Sequence, residues 1–515
     1  MAEATQLEVS AFFFAFRFDD LEHYRENNRL EAKKAQGGLP RSIWETYSAF
    51  ANTQGGVILL GVEELPDKTL HIAGLPDPEK LLVDFWNTVN NPEKVNVNIL
   101  SEADVRVEEA DGKRVIAIEV PRAQRGDKPV YINNNLLSGT YRRNGEGDYH
   151  CTKAEVQAML RDAAIKTQDM LVLESMDLSV FDYESVSRYR LRMKIVRPDH
   201  VWENLKDDEF LYKLGAIGRG EDGQLHPTCA GLLMFGFEYE IVREYPQYFL
   251  DYQEQLDASM RWTDRIISSS GEWSGNVHDF YFRVYNRLSQ AVKVPFKLEG
   301  GLRVDDTPVH KALREVLANC LINADYYGPR GLVIIRKPDS IKVSNPGGFR
   351  IDIREAINGG TSDPRNATLM KMFNLVNVGE RAGSGIPNIY AVWKNEGWDE
   401  PTLEERFSPD RTLLSLPIGD NGEESAITTG DKSEIGDKIG DNGEESAIKS
   451  ERFRQMILEH LSEKESCKAS DVAKLLELGP SRTRDYLMQL VEEGILVAEG
   501  SNKNRTYRLK KEGEI

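Results

Sequence analysis

The ten residues IGDNGEESAI occur twice, at Ile418–Ile427 and again letter for letter at Ile439–Ile448, with TTGDKSEIGDK between them. A stretch this rich in Gly, Asp, Glu and Ser cannot bury enough apolar surface to offset the entropy of ordering it. An exact tandem duplication of that composition reads as a flexible acidic tether rather than a packed structural repeat. One hydrophobic core running the length of the chain is therefore excluded. Residues 418–449 are expected to be a linker, with the bulk of the protein before it and a small module, 450–515, after it. The 515-residue length agrees, since two to four domains is the ordinary expectation at that size.

Charge narrows the partners. The formal net charge of −19 argues against a uniformly basic coat for nucleic acid. From Ser450 onward, however, twelve Lys and Arg balance twelve Asp and Glu, so the C-terminal module is neutral and the rest carries the whole deficit. That distribution suits a protein that touches nucleic acid at chosen places or holds divalent cations. The early apolar run FFFAF, Phe12–Phe16, leads into Asp19, Asp20 and Glu22, which is neither a secretory charge order nor a membrane-spanning length. Cys151, Cys229, Cys320 and Cys467 are far apart with no C-x-x-C pair, so a disulfide framework and a zinc knuckle are not expected. A reducing cytoplasm is.

The expected fold class is α/β and α+β, in several domains. Strand-like runs GGVILLGV, KRVIAIEV and KPVYI, with the helix RSIWETYSAFANT before the first, mark an α/β region over residues 1–165. A second α/β region over 301–417 holds GLVIIRK and SIKVSN. Between them, 166–300 reads as mixed connecting and docking structure, with an apolar segment CAGLLMFG at Cys229–Gly236.

In the first region Glu26 and Glu31 flank a segment entering EAKKAQGGLP, and Glu63 and Glu64 follow the strand VILLGV. Carboxylates gathered from a loop and a strand end can hold Mg²⁺ or Mn²⁺ through oxygen, and two such ions can assist phosphodiester hydrolysis. On spacing alone the plain reading is the stronger, since two glutamates five residues apart are common in an acidic chain. Lys33 and Lys34 are candidates for phosphate. Arg142 and Arg143, before Asn144-Gly145, are either phosphate clamps or the charged protection of a strand edge. The run LEAKKAQGGLP…SAFANTQGGVILLGVEE, with KPVYI…TYRRNGEGDY after it, resembles the Schlafen-type, AlbA-like domain over about Glu26 to Met159. That resemblance implies nucleic-acid binding. In some members it implies a metal-dependent RNA-cleaving site at the positions of Glu26, Glu31 and Glu63 or Glu64. This chain departs by carrying Glu where nuclease members often have Asp at the third position, and Ala32 where Phe is usual.

The stretch HKALREVLANCLINADYYGPRG reads as a helix running into a turn. Leu313, Val316, Leu317, Cys320 and Leu321 repeat at the spacing of a buried face, while Glu315, Asn319 and Asn323 form a polar row. Downstream come SNPGGF after a strand, the helix NATLMKMFNL, and VGERAGSGIPNIY, whose glycines precede another helix. A Gly-rich loop opening a helix can present backbone N–H groups to phosphates. The alternative is an ordinary sheet-and-helix core with a polar edge. This order, with EVLANCLINADY, resembles the ATP-binding domain of the GHKL superfamily in the version that bacteria join to Schlafen-type domains. The resemblance implies an α/β sandwich that binds ATP with Mg²⁺. Asn319 would be the metal ligand and Glu315 the residue orienting or deprotonating a water. Asn345, Gly347 and Gly348 would lie beside the base, and Gly383, Ser384 and Gly385 over the phosphates. Asn323-Ala324 replaces the usual His-Arg, and Asn345 stands where the wider superfamily uses Asp. Those departures leave binding better supported than hydrolysis.

The C-terminal segment has three helical patterns and two short strands around GSNKN, with a tight LGPS turn and Pro480 near the first turn of the third helix. That is the layout of a winged helix-turn-helix, and the segment resembles winged-helix transcription regulators. Arg482 and Arg484 would face the major groove, with Lys503 and Arg505 on the wing. A winged helix that binds protein is the alternative, since Glu492 and Glu493 dull the basic face. A homodimer is expected from the same resemblance. The leading expectation is a DNA-binding transcriptional regulator whose nucleotide site modulates binding. A Schlafen-like nuclease acting on RNA or single-stranded DNA, and a non-catalytic scaffold, are the alternatives. A helicase motor is not expected, because no G-x-x-x-x-G-K-[ST] loop is present.

Overall fold

The computed structural model describes residues 26–257, 259–291, 297–299, 302–304, 307–379, 384–407 and 409–419, and, near the C-terminus, 467–468, 472, 487, 496–499 and 506–509. The chain divides into two compact units, Met1–Glu423 and Glu424–Ile515. The division falls in the duplicated segment.

The first unit begins with a four-stranded sheet in the order Leu30–Lys33, Gly56–Leu60, Lys113–Val120, Val105–Ala110. The first two strands run parallel and the others antiparallel. Gly56–Leu60 is central and buried throughout, which is why it reads as an unbroken apolar run rather than an alternating one. Alternation sends Ile58 and Leu60 to a core with Tyr47 and Phe50 of the helix Ile43–Asn52 and Phe85 of the helix Pro78–Val89. Val57 and Leu59 face the opposite way, onto Leu30, Val62 and Ile72. KPVYI differs from its strand-like reading: it makes only isolated bridges, Val95 with Ile132 and Tyr131 with Thr140. Val130 and Ile132 are buried, so the apolar pattern reports core packing there and not a ladder.

A six-stranded sheet follows, in the order Asp264–Ile267, Leu250–Glu254, Leu332–Arg336, Ser340–Pro346, Arg411–Pro417, Thr402–Arg406. All its neighbours are antiparallel except Leu250–Glu254 with Leu332–Arg336, which pair in parallel from Leu250 opposite Leu332. The helices Val277–Ala291, Pro308–Asn323, Ala367–Leu375 and Gly385–Asn395 contribute to its core through Tyr281, Leu317, Leu321, Phe373 and Trp393. That core runs from Met176 to Leu416. The boundary expected at 300 therefore does not separate two cores: two strands and a helix from 166–300 complete the sheet and its cover. CAGLLMFG forms the short helix Cys229–Phe235, every residue of it buried.

In the second unit, Cys467–Lys468, Thr506–Leu509 and Leu496–Glu499 form a three-stranded antiparallel sheet, and Val472, Leu487, Leu496 and Tyr507 are buried. The basic residues Arg482, Arg484, Lys503 and Arg505 lie outside the described residues, as do most residues of the three helical patterns. Among the described residues no helix is long and apolar enough to cross a membrane. Cys151, Cys229 and Cys320 are free and buried.

Candidate functional site

The helix Pro308–Asn323 starts at Pro308, whose missing N–H costs nothing in a first turn. Leu313, Val316, Leu317, Cys320 and Leu321 are all buried, as their spacing requires. One turn apart on the partly open side, the Asn319 Nδ2 donates to Glu315 Oε1 at 3.0 Å. Both residues line a cavity of about 170 Å³. Asn345, Gly348 and Thr412 contribute polar groups to it, and Val343, Met370, Ile389 and Leu414 apolar ones. Gly385, first residue of the helix Gly385–Asn395, lines it as well. A Cβ on Gly385 would run into the Glu315 carboxylate and come within 2.9 Å of Asn319 Nδ2, so any larger residue there would push the ends of those two side chains aside. Ser384 precedes it as N-cap without a side-chain capping bond, and Gly383 lies outside the described residues.

Asn345 is 7% exposed, and its Oδ1 is buried without a hydrogen-bond partner. An orphaned amide oxygen carries the full cost of its lost hydration, so this atom marks where a donor is wanted. Gly348 reaches the cavity, whereas Gly347, at φ +93, turns the chain beside Arg365. Asn323, the departure from His, holds the wall together: its Nδ2 donates to Asn319 O at 3.0 Å and its Oδ1 accepts from Arg365 N at 3.3 Å.

Sequence reasoning missed the other side of this wall. Arg365 donates Nε and Nη2 to the two oxygens of Asp162, each at 2.9 Å, while Nη2 also reaches Gly348 O at 2.9 Å. Burial alone would raise the Asp162 carboxyl, but the charges of Arg365, Arg350 and Arg161 outweigh it and hold the pKa below the ordinary value. Arg122 donates to Phe349 O at 2.7 Å and forks onto the Glu405 carboxylate, which also accepts from Phe349 N at 2.8 Å. Arg125 pairs with Asp363. The 348–365 wall of the cavity is thus tied to residues 122–162. No local pattern could have found partners some two hundred residues apart; only the fold brings them together.

The N-terminal carboxylates lie near one another and each has partners of its own. Glu31 is buried, paired with Lys33 and, at 2.7 Å, with Arg143. Glu26 Oε1 accepts from Ala32 N at 2.8 Å, and its pKa is raised by burial and by the nearby Glu31 and Glu64 charges, which outweigh that bond. Glu64 is bonded to Lys68 at 3.2 Å and keeps Oε1 buried without a partner. Glu63, its neighbour on the strand Val62–Glu64, pairs instead with Lys34 at 2.9 Å. Among the described residues no three His, Cys, Asp or Glu side chains gather as a group that could hold a metal ion.

Arg143 corrects one expectation. Its side chain is 1% exposed, with bonds to Glu31, to Asp148 at 2.9 Å and to Asn27 O at 2.9 Å, above the Phe50 ring. It is a core cation and not a surface clamp for phosphate. Arg142 pairs with Glu155 at 3.1 Å. Lys34 is half exposed despite its partner.

Comparison with known proteins agrees with this layout in part. Residues 25–152 match a family model described as "Schlafen, AlbA_2". Residues 331–411 match one described as "Putative ATP-dependent DNA helicase recG C-terminal". Residues 157–251 match a domain of unknown function, DUF8451, and 453–502 match "FaeA-like protein". The chain therefore combines an AlbA-like N-terminal domain with a RecG-like C-terminal region. No curated protein matches. Among solved structures, the DIP2311 protein from Corynebacterium diphtheriae is 18% identical, with 94% of this chain and 92% of that one covered and a TM-score of 0.39. The N-terminal domain of a "Putative ATP-dependent DNA Helicase RecG-related Protein" from Nitrosomonas europaea is 34% identical over 26% of this chain and 90% of that one, with a TM-score of 0.21.

Proposed function

We propose that this protein is an ATP-binding, nucleic-acid-binding regulator of the GHKL type, in which occupation of the cavity alters how nucleic acid is held. The observation that carries the reading is the cavity itself. It has the Glu315–Asn319 pair on one wall, the glycine start of a helix beside that pair, and an unpartnered Asn345 oxygen on another. A nucleotide would place its base amino group on Asn345 Oδ1 and its phosphates toward the N–H groups that open the Gly385–Asn395 helix. Asn319 would hold Mg²⁺ through its amide oxygen, and Glu315 would position a water.

The similarity of 25–152 to the AlbA_2 family and of 331–411 to the RecG C-terminal family supports the association with nucleic acid. Lys34, half exposed beside Glu63, is a cation of the first domain suited to phosphate, and Arg142 would have to exchange its Glu155 partner to serve with it. Arg482, Arg484, Lys503 and Arg505 would do the same in a C-terminal winged helix on duplex DNA, as a homodimer and as part of transcription control. The ties from Arg122 and Asp162 to the 348–365 wall give cavity and N-terminal domain a shared structural element.

Thermal stabilisation by ATP with Mg²⁺ tests the reading. A ligand at about one hundred times its Kd adds about 2.7 kcal/mol, so the melting point of the intact chain rises by a few degrees and Asn319→Ala abolishes the rise. An unchanged melting point at millimolar Mg-ATP would sink it.

A further inference from the structure

With the cavity taken as the nucleotide site proposed above, its base-selecting end has a chemistry of its own, and base selection there rests on that reading. Asn345 stands on the strand Ser340–Pro346, opposite Thr412 on the neighbouring strand. Among the described residues, its unpartnered oxygen is one of two orphaned polar side-chain atoms on residues that line the cavity. The other is Arg350 Nε, on a side chain 5% exposed, whose Nη1 donates to Pro364 O at 3.0 Å. One is an acceptor without a donor, and the other a donor without an acceptor. A ligand satisfying both offers an N–H and a lone pair, and the apolar Val343, Met370, Ile389 and Leu414 suit the faces of a flat ring.

The side chain that meets the N–H is a carboxamide. It carries an oxygen that accepts and a nitrogen that donates twice, and its terminal torsion is broad and two-fold, so a half-turn exchanges the two. In one orientation it accepts from a 6-amino group. In the other it donates to a 6-oxo group. A carboxylate could serve only the first, and a hydroxyl would give neither fork. Arg350 adds a donor that suits a purine lone pair, the kind of contact guanidinium groups make with O6 and N7. Asp363, a carboxylate lining the cavity, is engaged by Arg125 and Arg350, which damps its repulsion of an oxo group. We infer that the cavity accepts purine nucleotides with either a 6-amino or a 6-oxo group, with the Asn345 carboxamide turning to suit each.

Inosine triphosphate, which differs from ATP at this edge of the base alone, is the probe. Its affinity and that of ATP are measured calorimetrically with Mg²⁺ on the intact chain and on Asn345→Asp. The two nucleotides should bind the native protein within about threefold of each other. Asn345→Asp, whatever it does to ATP binding itself, should shift the ratio of the two affinities towards ATP by about tenfold or more, the scale at which such paired contacts discriminate. ATP binding that is more than about tenfold tighter in the native protein overturns this inference alone. So does a ratio that Asn345→Asp leaves unmoved. If neither nucleotide binds the native protein, the nucleotide reading of the cavity falls and takes this inference with it. The native ratio needs no variant, so misfolding of Asn345→Asp does not protect the claim.

Discussion

At the scale of single residues, Arg143 shows how burial decides between two readings of the same letters. Next to Asn144-Gly145 it reads as a phosphate clamp. In the fold it neutralises Glu31 and Asp148 from inside the core. Removing one partner of a buried pair leaves the others uncompensated, which typically costs about 3–5 kcal/mol. Arg143→Met is therefore expected to lower the chemical-denaturation midpoint of the N-terminal domain steeply. Lys33→Met, on a partner side chain 22% exposed, should cost about 1 kcal/mol or less and shift that midpoint far less. Equal effects would show that Arg143 is not the residue holding those carboxylates. Which arginine of the Arg142-Arg143 pair turns inward was not legible in the sequence, because strand alternation allows either until the register is known.

At the scale of elements, the helix Pro308–Asn323 was the most legible part of the site. Its apolar spacing marks the buried face, and Glu315 with Asn319 one turn on follows from helix geometry alone. The strand runs KRVIAIEV and SIKVSN were equally legible, since Lys113–Val120 and Ser340–Pro346 coincide with them. Illegible were the elements whose place depends on distant partners: KPVYI, which is core without being a strand, and Leu250–Glu254, hidden in a region read as connecting. The helix Gly385–Asn395 supplies the test at this scale. Alanine at Gly385 improves helix propensity by up to about 1 kcal/mol, yet its Cβ would press on Glu315 and Asn319. Gly385→Ala should keep the melting temperature of the free protein within a few degrees and weaken Mg-ATP by about tenfold or more. Unchanged affinity would mean that this helix start does not bound the ligand.

At the scale of the whole molecule, the ties between residues 122–162 and the cavity wall decide whether the two ends of the first unit respond to each other. A coupling of about 1–3 kcal/mol, or roughly five- to 150-fold in affinity, is usual where two sites share a structural element. Nucleic-acid affinity of the intact chain should accordingly change by about fivefold or more when Mg-ATP is added. Asp162→Asn, which removes the charge facing Arg365 of the cavity wall while Asp162 itself does not line the 170 Å³ cavity, should weaken ATP binding far less than it weakens the coupling and so erase most of that change. A response that survives Asp162→Asn would place the coupling elsewhere. The parallel pairing of Leu250–Glu254 with Leu332–Arg336 bears on manufacture as well. A ribosome moving at about 5–20 residues per second releases the first of these strands several seconds before the second, with only the hairpin mate Asp264–Ile267 for company. An open strand edge for that long invites chaperones. Thr412 and Leu414, which close the cavity, emerge later still, so a nucleotide can steady the finished chain but cannot guide its synthesis.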